Sequence, residues 1–244
     1  MKPLIEFIKI NKSFYGKIVL KEINLKVLKG ESLVIIGQSG SGKSVLLKCL
    51  LGVLKPSFGE VLIKNKSFFK QNRHQKEVLL KKFGVAFQGN ALFDSLKVWE
   101  NIAFKLSQIQ SLPLKNLKEK VDFSLKLVGL SNSIMYLYPS QISGGMQKRV
   151  AIARAIIDEP EILIFDEPTS GLDPVTGSKI NNLIIDNVKR LGCTSITITH
   201  DMQSVKKIAD NVAMINEGKI IWSGKKSEMG FSKNQILQEF INEK

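Results

Sequence analysis

The chain has 244 residues, of which 43% are hydrophobic, enough for one large globular domain or two small ones. A disordered chain is excluded, because that apolar content offsets the entropy of ordering, and no apolar run approaches the roughly 20 residues of a membrane span. The 36 Lys+Arg against 22 Asp+Glu leave a formal charge of +14, which suits nucleic acid, an anionic membrane face, a polyphosphate ligand or simply a solvated lysine-rich surface.

Residues 1–10 alternate apolar and polar side chains, with Glu6 and Lys9 among them, and read as a first strand rather than a secretory leader. Further strand-like stretches lie at 18–27, 32–36, 61–63 and 84–87. A helix-rich middle follows over 95–157, with apolar residues at helical spacing in 117–128 and 146–157. Strands then alternate with helices: 162–165 before a helix at 174–191, 195–199 before a helix at 200–209, and 212–215 leading into a hairpin at Glu217-Gly218. Residues 226–244 read as a closing helix. Apolar strands alternating with amphipathic helices predict a mostly parallel α/β sheet, and the alternating early strands predict an attached antiparallel flap. No repeat, low-complexity tract or linker divides the chain, so one domain is expected. Cys49 and Cys193 share no metal or redox spacing and read as buried reduced thiols.

The charge is uneven. Residues 1–88 hold 17 basic and 5 acidic side chains, residues 89–160 hold 9 and 6, and residues 161–244 hold 10 and 11. The segment 64–82, with Phe68, Phe69 and Arg73 inside it, is the best case for nucleic-acid contact. A hairpin and a solvated helix of the flap account for it more simply.

The strand at 32–36 runs into Gly37-Gln38-Ser39-Gly40-Ser41-Gly42-Lys43-Ser44 and then a helical run. This strand, loop and helix order is the setting a phosphate loop requires. Glycines let backbone N–H groups converge on phosphate oxygens, and the helix N-terminus favours negative charge. Lys43 would reach the β- and γ-phosphates of a nucleoside triphosphate, and the Ser44 hydroxyl would hold Mg²⁺. The strand at 162–165 delivers Asp166-Glu167 to its carboxyl end, where α/β sheets bind ligands. Asp166 suits Mg²⁺, and Glu167 suits orienting or deprotonating an attacking water. Gln88 and His200 also fall at strand ends, where a polar side chain can reach a γ-phosphate, although a His at a strand end is more often a turn or capping residue and neither decides the reading alone.

Together, Gly37–Ser44, Gln88, Ser143-Gly144-Gly145, 162–167, Gly171-Leu172-Asp173 and His200 resemble the ATP-binding-cassette (ABC) ATPases in order and spacing, over essentially the whole chain. The resemblance implies a RecA-like P-loop core with an antiparallel β subdomain, over 1–88 and 160–244, and an inserted helical subdomain over 89–159. It implies ATP and Mg²⁺ as cofactors. Ile142-Ser143-Gly144-Gly145-Met146 is similar to the family's signature motif, which contacts the nucleotide bound by the other subunit of a homodimer. By the same resemblance Tyr15 stacks on adenine, Gln88 senses Mg²⁺ and γ-phosphate and couples to a transmembrane permease, Asp173 crosses the dimer interface, and His200 holds the γ-phosphate. As a lone tyrosine, Tyr15 equally suits a core position. Met146 replaces the signature's usual Gln and Ile142 its usual Leu, which puts the tuning of hydrolysis in question.

The segment 87–104, together with Met146, is similar to the ATPase of lipid-asymmetry (Mla-type) transporters, although Gly89-Asn90 inverts the usual order. That resemblance implies phospholipid transport between inner and outer membranes, a membrane-anchored mammalian-cell-entry-domain partner, and a place on the cytoplasmic face of a bacterial inner membrane, with no nucleic-acid partner. An importer ATPase for polar solutes such as amino acids would carry the same site. A nucleic-acid ATPase on the same cassette usually carries two cassettes or a long coiled coil, and this chain has one phosphate loop and no sustained heptads.

Overall fold

The structure, a computed structural model, describes residues 2–109 and 112–242. Met1 of the expected first strand, residues 110–111 of the helix-rich middle and residues 243–244 of the expected closing helix lie outside the described residues. The chain forms two compact units, Met1–Lys81 with Thr194–Lys244, and Lys82–Cys193. The first contributes β1 (Pro3–Phe14), β2 (Lys17–Leu28), β3 (Ser32–Ile36), α1 (Lys43–Leu50), β4 (Phe58–Ile63), β5 (Lys66–Ser67) and α2 (Arg73–Leu80). The second follows with β6 (Phe83–Ala86), α3 (Val98–Ile109), α4 (Leu114–Leu127), α5 (Gly144–Ile156), β7 (Ile162–Asp166) and α6 (Pro174–Leu191). The chain then returns to the first unit with β8 (Thr194–Ile198), α7 (Met202–Ile208), β9 (Asn211–Asn216), β10 (Lys219–Lys225) and α8 (Gln235–Asn242).

In the first unit, β2, β1, β4 and β5 make the antiparallel flap. A second layer takes the order β10-β9-β3-β8, with β3 parallel to both β8 and β9. Every residue of β3 and β8 is buried, the pattern of parallel strands covered on both faces. Parallel pairing puts the carboxyl ends of β3 and β8 side by side, with Ile35 opposite Ile198. Gly37 and His200 therefore follow neighbouring strand ends.

In the second unit, β6 and β7 pair in parallel with Ala86 opposite Phe165, so Gln88 and Glu167 also follow adjacent strand ends. Helix α5 lies directly on β6: a Cβ at Gly84 would come within 1.9 Å of the Ala155 carbonyl oxygen. Helix α6 is punctuated as its sequence predicts. Asp173 caps its start, Pro174 fills the first turn and Gly192 ends it in the left-handed conformation at φ +58°.

The C-terminal stretch is not one helix. A 3₁₀ segment covers Lys226–Phe231, and α8 restarts only where the Asn234 side chain accepts from the Leu237 amide at 3.0 Å. The internal cap offers the chain a second start. Residues 200–209 begin their helix two positions late for a similar reason, since Asp201 caps α7 by accepting from Gln203 and Ser204. The segment 64–82 forms a hairpin turn at Lys64-Asn65, both at positive φ, followed by α2 with an Asn72/Gln75 capping box. Phe68 is only 2% exposed, so it belongs to the core and offers no stacking surface. Cys49 and Cys193 are buried free thiols, and burial pushes both up to about 11, which keeps them protonated and unreactive at neutral pH.

Candidate active site

The phosphate loop is built from the backbone outward. Helix α1 starts from Gly42 at φ +112°, with no side chain occupying its first amides, so those N–H groups remain available to a ligand. Lys43 is 7% exposed. Its ammonium donates to the carbonyl oxygens of Gly37 at 2.8 Å and Gln38 at 2.9 Å. The cation is thus folded into its own loop and aimed along it. Gln38, Ser39, Gly40 and Ser44 are exposed, whereas Ser41 is buried. Tyr15 sits in the β1–β2 turn beside Gly16, at φ +47° and fully exposed. That placement removes the core alternative for this residue. His200 is exposed just beyond β8, on a turn fixed by the Asp201 N–H donating to Thr199 Oγ1 at 3.0 Å.

In the second unit, Glu167 is 8% exposed and sits at φ +49°, a left-handed conformation rare for a glutamate. The turn is closed by the Ser170 amide donating to the Glu167 carbonyl oxygen at 3.2 Å. Lys148, on the first turns of α5, carries an ammonium whose burial lowers its pKa, against which the Glu167 charge acts to raise it. The base candidate therefore has a cation in its field. Ser143 caps α5, its hydroxyl accepting from the Met146 amide at 3.3 Å, and both Ser143 and Gly144 are exposed. Asp173 is exposed at the head of α6, where it accepts from the amides of Val175 and Thr176 at 3.0 and 2.9 Å. The Thr176 hydroxyl, with that Thr176 amide, holds its carboxyl below the usual range.

Gln88 is exposed two residues past β6. The loop after it is held by residues that the sequence reading missed. Asn90 and Ala91 both adopt positive φ, at +59° and +47°. Their carbonyl oxygens each accept a 2.6 Å bond from the Arg154 guanidinium of α5, whose burial lowers its pKa. One face of the same helix carries Gln147, which accepts from the Asn90 side chain at 3.4 Å and donates to the Pro139 carbonyl at 2.9 Å. Asn101, fully buried, accepts from the Phe93 amide and donates to the carbonyls of Phe93 and Leu96. The available signal was a polar residue inside an apolar stretch: Arg154 between Ala153 and Ala155, and Asn101 ahead of Ile102-Ala103-Phe104.

Ser44 in the first unit carries a hydroxyl, and Gln88 and Asp166 in the second carry an amide and a carboxylate, each an oxygen donor of the kind a hard dication takes. Among the described residues, no group of three or more His, Cys, Asp or Glu side chains gathers to hold a metal.

A family model described as "ABC transporter" matches residues 20–170. The chain belongs to the ABC transporter family. It is 38% identical over 253 residues to the Arabidopsis thaliana chloroplastic protein TRIGALACTOSYLDIACYLGLYCEROL 3, covering 97% of this chain and 73% of that one. It is 39% identical over 243 residues to the methionine import ATP-binding protein MetN of Haemophilus ducreyi, covering 98% and 70%. Among solved structures it is similar to cbiO1 of Clostridium perfringens, part of the ABC transporter complex cbiONQ, with a TM-score of 0.85, 34% identity, and coverage of 98% of this chain and 95% of that one. A dimeric ATP-binding cassette in a post-hydrolysis state with ADP and Pi is similar at a TM-score of 0.83 and 30% identity, over 91% of this chain and 98% of that one. The chain is therefore an ABC ATPase with the α/β cassette fold, and it binds nucleotide. Among the described residues, no helix is long and apolar enough to cross a membrane.

Proposed function

We propose that this ABC ATPase works as a homodimer on the cytoplasmic face of a membrane, hydrolysing ATP to drive a permease subunit. The observation that carries the reading is the prebuilt phosphate loop, with Lys43 drawn onto the Gly37 and Gln38 carbonyls and the α1 amides left uncapped. Incoming phosphates exchange those carbonyl contacts for stronger charge-assisted bonds to Lys43. Tyr15 stacks on the base, and Ser44, Gln88 and Asp166 hold Mg²⁺. When bound, Mg²⁺ neutralises charge on the β- and γ-phosphates. Glu167 orients and deprotonates the attacking water, His200 holds the γ-phosphate, and the partner's Ser143-Gly144-Gly145 turn closes on it while the partner's Asp173 crosses the interface. The resemblance to the family supports reading a core over 1–88 and 160–244 with a helical subdomain over 89–159. ATP closes the dimer and hydrolysis reopens it. The test is ATP binding and turnover by the purified chain beside its Lys43→Ala and Glu167→Gln variants. Wild-type-like binding by the first, or wild-type turnover by the second, overturns the assignment.

For cargo, the relatives named as methionine importers favour a polar-solute importer. A second reading, phospholipid transport with a membrane-anchored lipid-binding partner, is favoured by the relative named for a galactolipid and by the resemblance over residues 87–104. Co-purification with the native membrane partners and identification of the bound cargo separates the two. An amino acid supports the first, and a phospholipid supports the second.

A further inference from the structure

The β9–β10 hairpin lies far along the chain from the phosphate loop, yet its turn forms a wall of that loop. Strand β9 runs parallel to β3 with Met214 opposite Ile36, so residues 215–218 emerge beside Gly37. Three glycines allow the backbones to meet there. A Cβ at Gly37 would lie 2.2 Å from the Ile215 carbonyl oxygen. A Cβ at Gly42 would lie 2.8 Å from Leu20 Cδ2 and 3.8 Å from Gly218 Cα. At Gly218, itself at φ +78°, it would lie 2.2 Å from the Val19 carbonyl oxygen. Two hydrogen bonds tie the turn on both sides: the Gly218 N–H donates to the Ser41 carbonyl at 3.0 Å, and the Lys21 N–H donates to the Gly218 carbonyl at 2.8 Å.

The first of these bonds has a direct consequence for the loop. The Ser41 carbonyl and the Gly42 N–H belong to one planar trans peptide and point in opposite directions. Drawing the carbonyl onto Gly218 therefore turns the Gly42 N–H the other way, and that N–H is one of the amides a phosphate loop offers to an anion. The second bond anchors the turn to β2, the strand that follows the Tyr15-Gly16 hairpin turn. Gly218 thus bonds the phosphate loop on one side and the strand behind the proposed adenine contact on the other.

We propose that Gly218 is a positioning residue for nucleotide binding: wedged between Val19–Leu20 and Ser41–Gly42, the β9–β10 turn holds the phosphate loop in its anion-ready form. The inference rests on reading the loop as the ATP site. It predicts an effect on affinity and not on the chemical step, because Gly218 touches no group placed in hydrolysis.

The experiment is equilibrium ATP binding and steady-state ATPase on the full chain. Gly218→Ala is expected to weaken ATP binding about tenfold, equivalent to about 1.4 kcal/mol, and to raise KM in step while kcat stays within about twofold. Gly192→Ala is the control, since it has φ +58° with nothing within 4 Å of its Cβ. It carries a left-handed backbone cost without a clash, and is expected to lose thermal stability while binding ATP as wild type. Wild-type affinity in Gly218→Ala, or equal weakening in Gly192→Ala, overturns the proposal. Should Gly218→Ala fold poorly, the double variant Glu217→Gly/Gly218→Ala relieves the φ of +46° at Glu217 and keeps the Val19 clash. Recovered stability with weak binding supports the wedge, and recovery of both overturns it. Failure of the wild-type chain to bind ATP would instead reject the nucleotide site itself.

Discussion

The phosphate loop and the signature turn are two glycine-rich helix starts made from similar residues and finished differently. At the phosphate loop two glycines are forced by close approaches, Gly37 by the Ile215 carbonyl and Gly42 by the Leu20 side chain, and no side chain caps the helix. At the signature turn a Cβ on Gly144 would meet nothing within 4 Å, and one on Gly145 would meet only Thr176 Cγ2 at 3.4 Å. There Ser143 spends its hydroxyl on its own helix, accepting from Met146. The first start is a completed cradle that its own unit holds in shape. The second is an open, self-capped surface whose glycines leave room for something outside this chain, as a site shared across a dimer requires.

The largest expected effect tests the completed cradle. Lys43→Ala removes the ammonium folded into the loop, and ATP affinity should fall about a hundredfold or more, since two charge-assisted bonds at about 1.5 kcal/mol or more each disappear. Isothermal titration with ATP measures it. Next is Glu167→Gln, which keeps the shape of a buried side chain and removes its basicity. Turnover should drop by about 10² to 10⁴ while ATP affinity stays near wild type; single-turnover hydrolysis beside nucleotide binding separates the two.

The two glycine sets then divide stability from activity. Gly37→Ala should cost about 2 kcal/mol or more of unfolding free energy, because the Cβ meets a backbone carbonyl at 2.2 Å that cannot swing aside. Gly144→Ala sits in the first turn of α5 at an unstrained φ with open space around it. Its stability should change by less than about 1 kcal/mol, in the stabilising direction that helix propensity gives, while dimer-dependent ATPase activity falls. Denaturant unfolding of both variants, with ATPase assays at several protein concentrations, is the measurement. A stability loss at Gly144 as large as that at Gly37 would erase the distinction between cradle and surface.

Features encoded by local punctuation were legible in the sequence. The phosphate loop needs glycines at fixed spacing between a strand and a helix, and α6 carries Asp173-Pro174 at its head and Gly192 at its foot, so its span of residues 174–191 could be read directly. The antiparallel flap announced itself by alternation, although β1 runs on to Phe14 through the polar stretch Asn11-Lys12-Ser13, which pairing with β2 and β4 explains. Features made by long-range backbone contact were not legible. Arg154 stands out between Ala153 and Ala155, but nothing local names Asn90 and Ala91 as its partners, and Glu217-Gly218 reads as an ordinary hairpin turn until the fold sets it against Ser41. The basic bias of residues 1–88 also changes meaning. All five of their acidic side chains are engaged: Glu6, Glu22, Glu60 and Glu77 pair with Lys26, Lys9, Lys70 and Arg73, and Glu31 accepts from the Leu28 amide and the Asn211 side chain. Four of the 17 basic side chains thus pair with acids of the same segment, and Lys43 is buried in the phosphate loop.

The smallest effect concerns Asp173, whose carboxylate caps α6 from an exposed position while its proposed role lies across the dimer interface. The bonds from Thr176 and the neighbouring Val175 amide hold its pKa below the ordinary carboxylate value. A depressed folded-state pKa adds stability that is fully present above the unfolded value of about 3.9 and is lost as the pH falls through the folded value. Thermal unfolding at neutral pH should therefore show a small drop in Tm for Asp173→Asn, narrowing below the unfolded value as the pH falls toward the folded one and the wild-type carboxylate protonates. Asn also caps helices well, so the cap itself should survive. If Asp173 also works across the interface, the Asn variant will show a dimer-dependent ATPase defect at neutral pH larger than its Tm change accounts for. A residue used only as a cap will show the Tm change alone.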